Sequence, residues 1–553
     1  MDQQNSNPLD TNDPLYLGLD LSTQQLKGIL INSSGNIVKE SNIGFDATFP
    51  HYHTTNGRHV HGDRVTAPVH MWLEALDHLM HEILLSGLGP RIHGISGAAQ
   101  QHGSVYWNHR GIEQLANLDT NKSLKDQLVF AVADSPIWED ASTKEECREL
   151  EHVAGSAARL AEITGSMGFE RFTGAQIAKI KKTPAWTNVS RVSLVSSFLA
   201  SLLIGKIAPV DVSDASGTNL FDVQQGAWSQ GLCDSISSDL INMLGPRVCM
   251  ADERVGTLST YFVEKYGLRG CPIWAFSGDN PSAFAGFESI HRPGPSLAVL
   301  SLGTSDTVLF PLSAYPYVSK SALEHPDGHV MRHPTDCSRF IAMLCYKNGS
   351  LVREWVRDTY AHDNGSWAEF NRMAMEPLAP KAFGFYYPSM EIQPKAKGIH
   401  RFVQAADGKL ISPTSGTRYT AVQEFSQTSD PRAILESQLM SMCVDYRHKS
   451  VDPLPVVAVT GGASDNAVVR QAIADILGVR VCAVHMPSAG CGVAPAMPAY
   501  GAAVRALSAA EGRSVDACVL RDVAVPRELV HRRYVDALAD FEFLRRHVSL
   551  QHV

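Results

Sequence analysis

Residues 14–45 alternate between short apolar runs and turn residues, the pattern of a β-meander. Tyr16–Asp20 reads as a strand, Gly28–Asn32 as its return, Ser33–Asn36 as a turn and Ile37–Val38 as the start of a third strand. The period then lengthens. Val69, Trp72, Leu73, Leu76, Leu79, Met80 and Ile83 fall on one helical face across Val69–Leu85. Arg91–Gly97 is the next short strand, and Cys147–Leu203 is mostly helical in pattern. Ile273–Phe276 is an apolar strand that ends in Ser277-Gly278-Asp279-Asn280. Leu297–Pro311 repeats the opening arrangement of strand, glycine turn and strand, and Val456–Val459 is a buried strand.

The two strand–turn–strand openings carry similar chemistry. Leu17-Gly18-Leu19-Asp20-Leu21-Ser22-Thr23 and Ser301-Leu302-Gly303-Thr304-Ser305-Asp306-Thr307 each turn at or near a glycine and then present hydroxyls and backbone N–H groups. Such loops cradle phosphate oxygens. A third glycine turn, Val459-Thr460-Gly461-Gly462-Ala463-Ser464-Asp465-Asn466, completes a set that suits one nucleotide held between two similar halves.

Length and composition frame this reading. A chain of 553 residues exceeds one hydrophobic core, which predicts two sizeable domains, 14–290 and 291–553, divided near the Pro/Gly-punctuated His291–Pro295. A net charge of -9 excludes a general nucleic-acid or anionic-membrane surface. The 10 cysteines form no C-x-x-C pair, which argues against a disulfide framework or zinc site and for a reducing compartment such as the cytoplasm. Residues 1–13 read as a disordered leader without a targeting pattern. Ser193–Val210 is the most apolar long stretch, but Gly205, Lys206 and Pro209 interrupt it, so it predicts a buried helix and no membrane span. Beyond Gly512 the chain is charged and weakly patterned, except for a final helix through Phe541–His547.

No Walker P-loop, G-x-G-x-x-G or H-R-D catalytic loop is present, so those routes to nucleotide chemistry are poorly supported. Asp20 ends the first strand where a carboxylate can hold Mg²⁺ directly or through water, with Ser22 and Thr23 as phosphate donors; a plain β-turn accounts for the same residues. Asp279 follows a strand and is placed to accept a proton from an attacking hydroxyl, or to cap the helix beginning Pro281-Ser282-Ala283, and the two roles are compatible. His102, in Gln100-Gln101-His102-Gly103, can bond a polyol or simply occupy a polar loop. Arg171, between Phe169 and Phe172, suits a partly enclosed donor, against the default of a surface arginine. His51, His53, His59 and His61 lack acidic or cysteine companions at helpful spacing and read as a solvated loop.

Taken together, these segments and Ser135-Pro136-Ile137-Trp138-Glu139-Asp140 resemble the FGGY carbohydrate kinase family, within the actin-like ATPase superfamily, over roughly residues 14–508. The resemblance implies an α/β fold of two ribonuclease-H-like domains around a central cleft, with sugar on the first domain and ATP mainly on the second. The Gln-Gln-His-Gly, Phe-Glu-Arg-Phe and Gly-Asp-Asn segments resemble members acting on D-xylulose, implying ATP- and Mg²⁺-dependent phosphorylation of that sugar. By the same resemblance His102, Arg171, Asp279 and Asn280 are sugar contacts and Asp279 is the catalytic base. Ser22, Thr23, Gly303, Thr304, Ser305, Gly461, Gly462, Ala463 and Asn466 would hold ATP. Trp355 matches a further ATP contact, though its local pattern is that of a core residue. Other polyols (ribulose, gluconate, fuculose, rhamnulose, glycerol) and a nucleotide-dependent switch without transfer chemistry are alternatives, and the sequence leaves the oligomeric state open. Pro487–Ala499 departs from the family's usual helix.

Overall fold

The computed structural model describes residues 13–291, 296–318, 326–361, 366–425, 429–485, 495–513 and 519–549. The expected leader, all but Asp13, lies outside these residues. So do Arg292–Pro295 of the predicted boundary and most of Pro487–Ala499; a helix begins at Met497.

The chain forms two compact units. One comprises 1–292, 330–340 and 486–519; the other comprises 293–329, 341–485 and 520–553. The chain passes from the first unit to the second near residue 292 and returns to the first twice.

In the first unit, strand Leu15–Leu21 pairs antiparallel with Gln25–Asn32 and parallel with Ile92–Ala99. The sheet runs Arg254–Thr257, Pro272–Trp274, Ile92–Ala99, Leu15–Leu21, Gln25–Asn32, Ile37–Gly44, with Ser277–Gly278 also paired to Ile92–Ala99. On one side packs Val69–Ser86, whose seven predicted face residues are all buried, and it ends at Gly87 in the left-handed conformation. Val195–Ile204 is buried all round, and the hydroxyls of its three serines, Ser196, Ser197 and Ser201, are satisfied by Asp214, Leu194 O and Ser197 O.

The Met497–Glu511 helix covers the other side of the central strands. Its fit depends on absent side chains. A Cβ at Gly18 would collide with the backbone of Ala499 and Ala503, and one at Gly286 would lie 2.8 Å from the Cα of Gly501. Small residues here let the helix backbone lie directly on the sheet and against the Asp279–His291 helix. Arg505 locks this packing from a fully enclosed position. It donates to Gly97 O (2.8 Å), Ser96 Oγ (3.0 Å) and Ser282 Oγ (3.1 Å).

The second unit repeats the scheme. Leu297–Leu302 pairs antiparallel with Asp306–Leu312 and parallel with Val456–Thr460, which continues parallel to Val481–His485. The residues beyond Gly512 depart from expectation. They form strand Val519–Ala524 and the helix Glu528–Ser549, much longer than the Phe541–His547 piece. Tyr534, Leu538, Phe541, Leu544 and Val548 make its buried face, and Arg545 is enclosed through a two-point ion pair with Asp445 at 2.8 Å.

Among the described residues no group of three or more His, Cys, Asp or Glu is placed to hold a metal ion. His59 donates to Tyr52 O (2.8 Å) and lies in strand His59–His61, so part of the expected loop is extended structure. No described helix is long and apolar enough to cross a membrane.

Candidate active site

Strand register gathers the first unit's candidates. Asp20 lies opposite Ala98, and Ser277 and Gly278 lie opposite Ala98 and Ala99 in parallel pairing. Asp20, Gln100–His102 and Asp279–Asn280 thus emerge at one carboxyl-terminal sheet edge, where open α/β sheets bind ligands.

Asp20 is 4% exposed, and its Oδ1 is buried without a hydrogen-bond partner. Burial pushes its carboxyl up to about 7, the charge of Asp279 adds to the rise, and Lys27 across the hairpin opposes it. An enclosed carboxylate oxygen with no donor is suited to a cation. One such carboxylate fits a hydrated Mg²⁺, which keeps waters and takes phosphate oxygens instead of needing an all-protein cage.

Asp279 is half-buried in the first turn of the Asp279–His291 helix, so it is not the cap of a helix starting at Pro281. Its Oδ1 accepts from Asn280 N (2.8 Å) and Asn280 Nδ2 (3.1 Å). Burial raises it to about 6, against those donors and the backbone of Gln101. Asn280 Nδ2 also donates to Gln101 Oε1 (3.1 Å), joining two strand ends.

His102 is buried with a left-handed backbone, φ 70°. Its Nδ1 donates to Gly217 O (2.9 Å), which makes Nε2 of the neutral ring an acceptor. The ring stacks on Phe172 at 4.4 Å and 18°. The Arg171 guanidinium lies 5.4 Å from the Phe169 centroid and 6.0 Å from that of Phe172, and its Nε is buried without a partner. His102 and Arg171 therefore flank the same phenyl ring.

Ser22 behaves as the plain turn residue. Its hydroxyl donates to Gln25 O (2.9 Å), closing the hairpin, while Thr23 Oγ1 accepts from Trp138 Nε1 (2.9 Å).

In the second unit, pairing of Ser301 with Thr460 sets Gly303–Ser305 and Gly461–Asn466 at adjacent strand ends. Thr304 and Ser305 are exposed. Beneath this turn, Asp306 holds Arg353 at two points, 2.5 and 2.9 Å, and Arg353 also donates to Gln438 Oε1 and Ser350 Oγ, both at 2.8 Å. Ser350 N donates to Gly303 O (2.9 Å). Gly461 has φ 89°, and a Cβ there would lie 2.6 Å from Leu302 O, so only glycine turns at this point. Gly462, Ala463 and Asp465 form a short 3₁₀ turn. Asn466 caps the following helix, accepting from Val468 N (2.9 Å), and donates to Asn371 Oδ1 (2.8 Å). Trp355 is half-buried on the helix linked to the Gly303 turn and meets Tyr360 edge-on at 5.8 Å.

Sequence reading passed over Asp211, Asp214, Arg353 and Arg505, and quoted Gln101 and Asp306 within their motifs without the contacts they make here. Arg505 left one trace: a lone cation within the small-residue run Ala502–Leu507.

Two α/β units with matching strand–turn–strand openings, the first carrying carboxylates at one sheet edge, form the two-domain fold of a carbohydrate kinase. The chain belongs to the FGGY family of carbohydrate kinases: its N-terminal domain model matches residues 15–286 and its C-terminal domain model residues 298–510. Xylulose kinase 2 of Arabidopsis thaliana is 38% identical over 510 residues, covering 89% of this chain and 87% of its own. Xylulose kinase of Rattus norvegicus is 39% identical over 490 residues, 86% of each chain. A crystal structure of gluconate kinase from Lactobacillus acidophilus superposes with a TM-score of 0.75 at 17% identity, covering 98% of this chain and 99% of that one.

Proposed function

We propose that this enzyme transfers the terminal phosphoryl group of ATP to the 5-hydroxyl of D-xylulose, giving D-xylulose 5-phosphate and ADP. The observation that carries the reading is Asp279: a half-buried carboxylate at a sheet edge, held up near 6 by burial and oriented by Asn280. At neutral pH it is mostly ionised, yet basic enough to take the hydroxyl proton as the hydroxyl attacks phosphorus. The substrate follows from the company of His102 and Arg171 and from relatives named as xylulose kinases over most of their length.

In this reading the first unit binds sugar. His102 Nε2 accepts from a sugar hydroxyl, Arg171 donates to sugar oxygens from its aromatic mount, and Asn280 holds the base and a neighbouring hydroxyl. The second unit takes the nucleotide, with backbone N–H groups and hydroxyls of Gly303–Ser305 at the phosphates, and Gly461–Asn466 and Trp355 at the adenosine. Thr23 offers its hydroxyl proton to the phosphates, because its oxygen only accepts from Trp138 Nε1, while Ser22, whose N–H and hydroxyl both donate to Gln25 O, shapes the turn that presents it. Asp20 would hold a hydrated Mg²⁺, which offsets the charge of the phosphate oxygens when bound.

A cytoplasmic setting accords with eight unpaired cysteines among the described residues. ADP release measured with D-xylulose, D-ribulose, L-ribulose and glycerol tests the assignment. D-Xylulose should give the highest kcat/KM; a preference for another polyol, or ATP turnover indifferent to all of them, would overturn it.

A further inference from the structure

The segment Asp211–Gly217 touches both ends of the sugar chemistry without belonging to either. Asp211 ends a two-residue strand, and its Oδ1 accepts from Ser277 Oγ at 2.7 Å. Ser277 stands two residues before Asp279, in a strand only two residues long, so few backbone bonds fix that approach to the base. Asp211 in turn is fixed by capping the next helical turn, accepting from Asp214 N (2.8 Å) and Ser213 N (3.3 Å). Further along the same segment, Gly217 O receives the Nδ1 proton of His102. Ser196 Oγ donates to Asp214 Oδ2 at 2.5 Å, anchoring the segment to the buried Val195–Ile204 helix. Asp211, Asp214 and Ser277 are all essentially inaccessible and cannot contact a sugar directly.

We infer that Asp211 is a positioning residue: through Ser277 it sets the carboxylate of Asp279, while Gly217 on the same segment sets the ring of His102. This rests on Asp279 being the base. One rigid turn then fixes the distance between the group that takes the proton and a group that orients the sugar. Proton transfer depends steeply on such alignment, and a misplacement of about 1 Å costs on the order of 10²-fold.

The test is steady-state kinetics of Ser277→Ala, Ser277→Thr, Asp211→Ala and the Ser277→Ala/Asp211→Ala double variant, with Asp279→Asn beside them. Ser277→Ala should lower kcat about 10- to 10²-fold with sugar KM within about twofold. Ser277→Thr, which keeps the hydroxyl, should recover most of the loss, and the double variant should be no slower than Asp211→Ala. Should Asp211→Ala fail to fold, the Ser277→Ala and Ser277→Thr pair decides alone. Unchanged kcat in Ser277→Ala, an equal loss in both Ser277 variants, or losses that multiply in the double variant would each overturn the inference. If Asp279→Asn itself turns over normally, the base assignment falls; if Asp279→Asn is dead while Ser277→Ala is unaffected, only the positioning role falls.

Discussion

Asp20, near the end of strand Leu15–Leu21, and Asp279, just past strand Ser277–Gly278, flank Ile92–Ala99 from opposite sides, and the charge of Asp279 adds to burial in lifting the Asp20 carboxyl to about 7. The folded state thus holds this proton more tightly than the unfolded chain, whose aspartates titrate near about 3.9. Stability contributed here is complete below that value and declines as pH rises toward 7.

A cation should reverse that decline. In metal-free buffer at pH 8, Asp20→Asn should raise Tm, because it removes an uncompensated buried charge. Mg²⁺ should raise the Tm of the native chain and leave that of Asp20→Asn unmoved, while phosphoryl transfer by the variant falls. Calorimetry with and without Mg²⁺ checks this; an Asp20→Asn protein that is less stable yet still responsive to Mg²⁺ contradicts it.

Asp279 should govern the acid side of the rate profile. Since the protonated carboxyl cannot accept a proton, kcat/KM should fall as pH drops through about 6. Asp279→Ala should lose at least about 10²-fold in kcat with a smaller change in sugar KM. Coupled ADP release across pH 5–8 measures both, and a flat profile would argue for another base.

His102 and Arg171 share Phe172, so their loss should be felt by the sugar alone. His102→Ala and Arg171→Ala should each raise sugar KM more than ATP KM. Arg171→Lys should rescue little, because an ammonium lacks the planar face that stacks on Phe169 and Phe172. An effect confined to ATP would reverse the assignment of the two units.

Arg353→Met should act on the nucleotide side. It strands Asp306, which burial already pushes upward despite its partner. Removing one member of an enclosed pair costs about 3–5 kcal/mol, read by denaturant unfolding. The Gly303–Ser305 turn above it should loosen, raising ATP KM and sparing sugar KM.

What the sequence made legible follows from periodicity. The Val69–Ser86 helix buries one face, so its period is plain, and the strands that open the hairpins at 15–32 and 297–312 are short apolar runs, buried on both faces and closed by turn residues. Asp20, His102 and Asp279 stand out as candidates in the sequence because polar residues follow apolar strands there. Asp211 and Arg353 do not, because their roles lie in partners 66 and 47 residues away. The Glu528–Ser549 helix was underestimated for a related reason: Arg545 interrupts its apolar stripe and becomes buried only by pairing with Asp445. Ser22 is the converse case: its hydroxyl fits the pattern of a phosphate loop and also closes its own turn by donating to Gln25 O.

The near-contact of Gly286 with Gly501 has a consequence for dissecting the gene. A truncation ending at residue 292 would strip the last covering layer from Gly18, Ser96 and Ser282, baring small-residue grooves shaped for one helix. Such a half-protein should aggregate when produced alone, and a peptide spanning 495–513, supplied in trans, should restore it to solution.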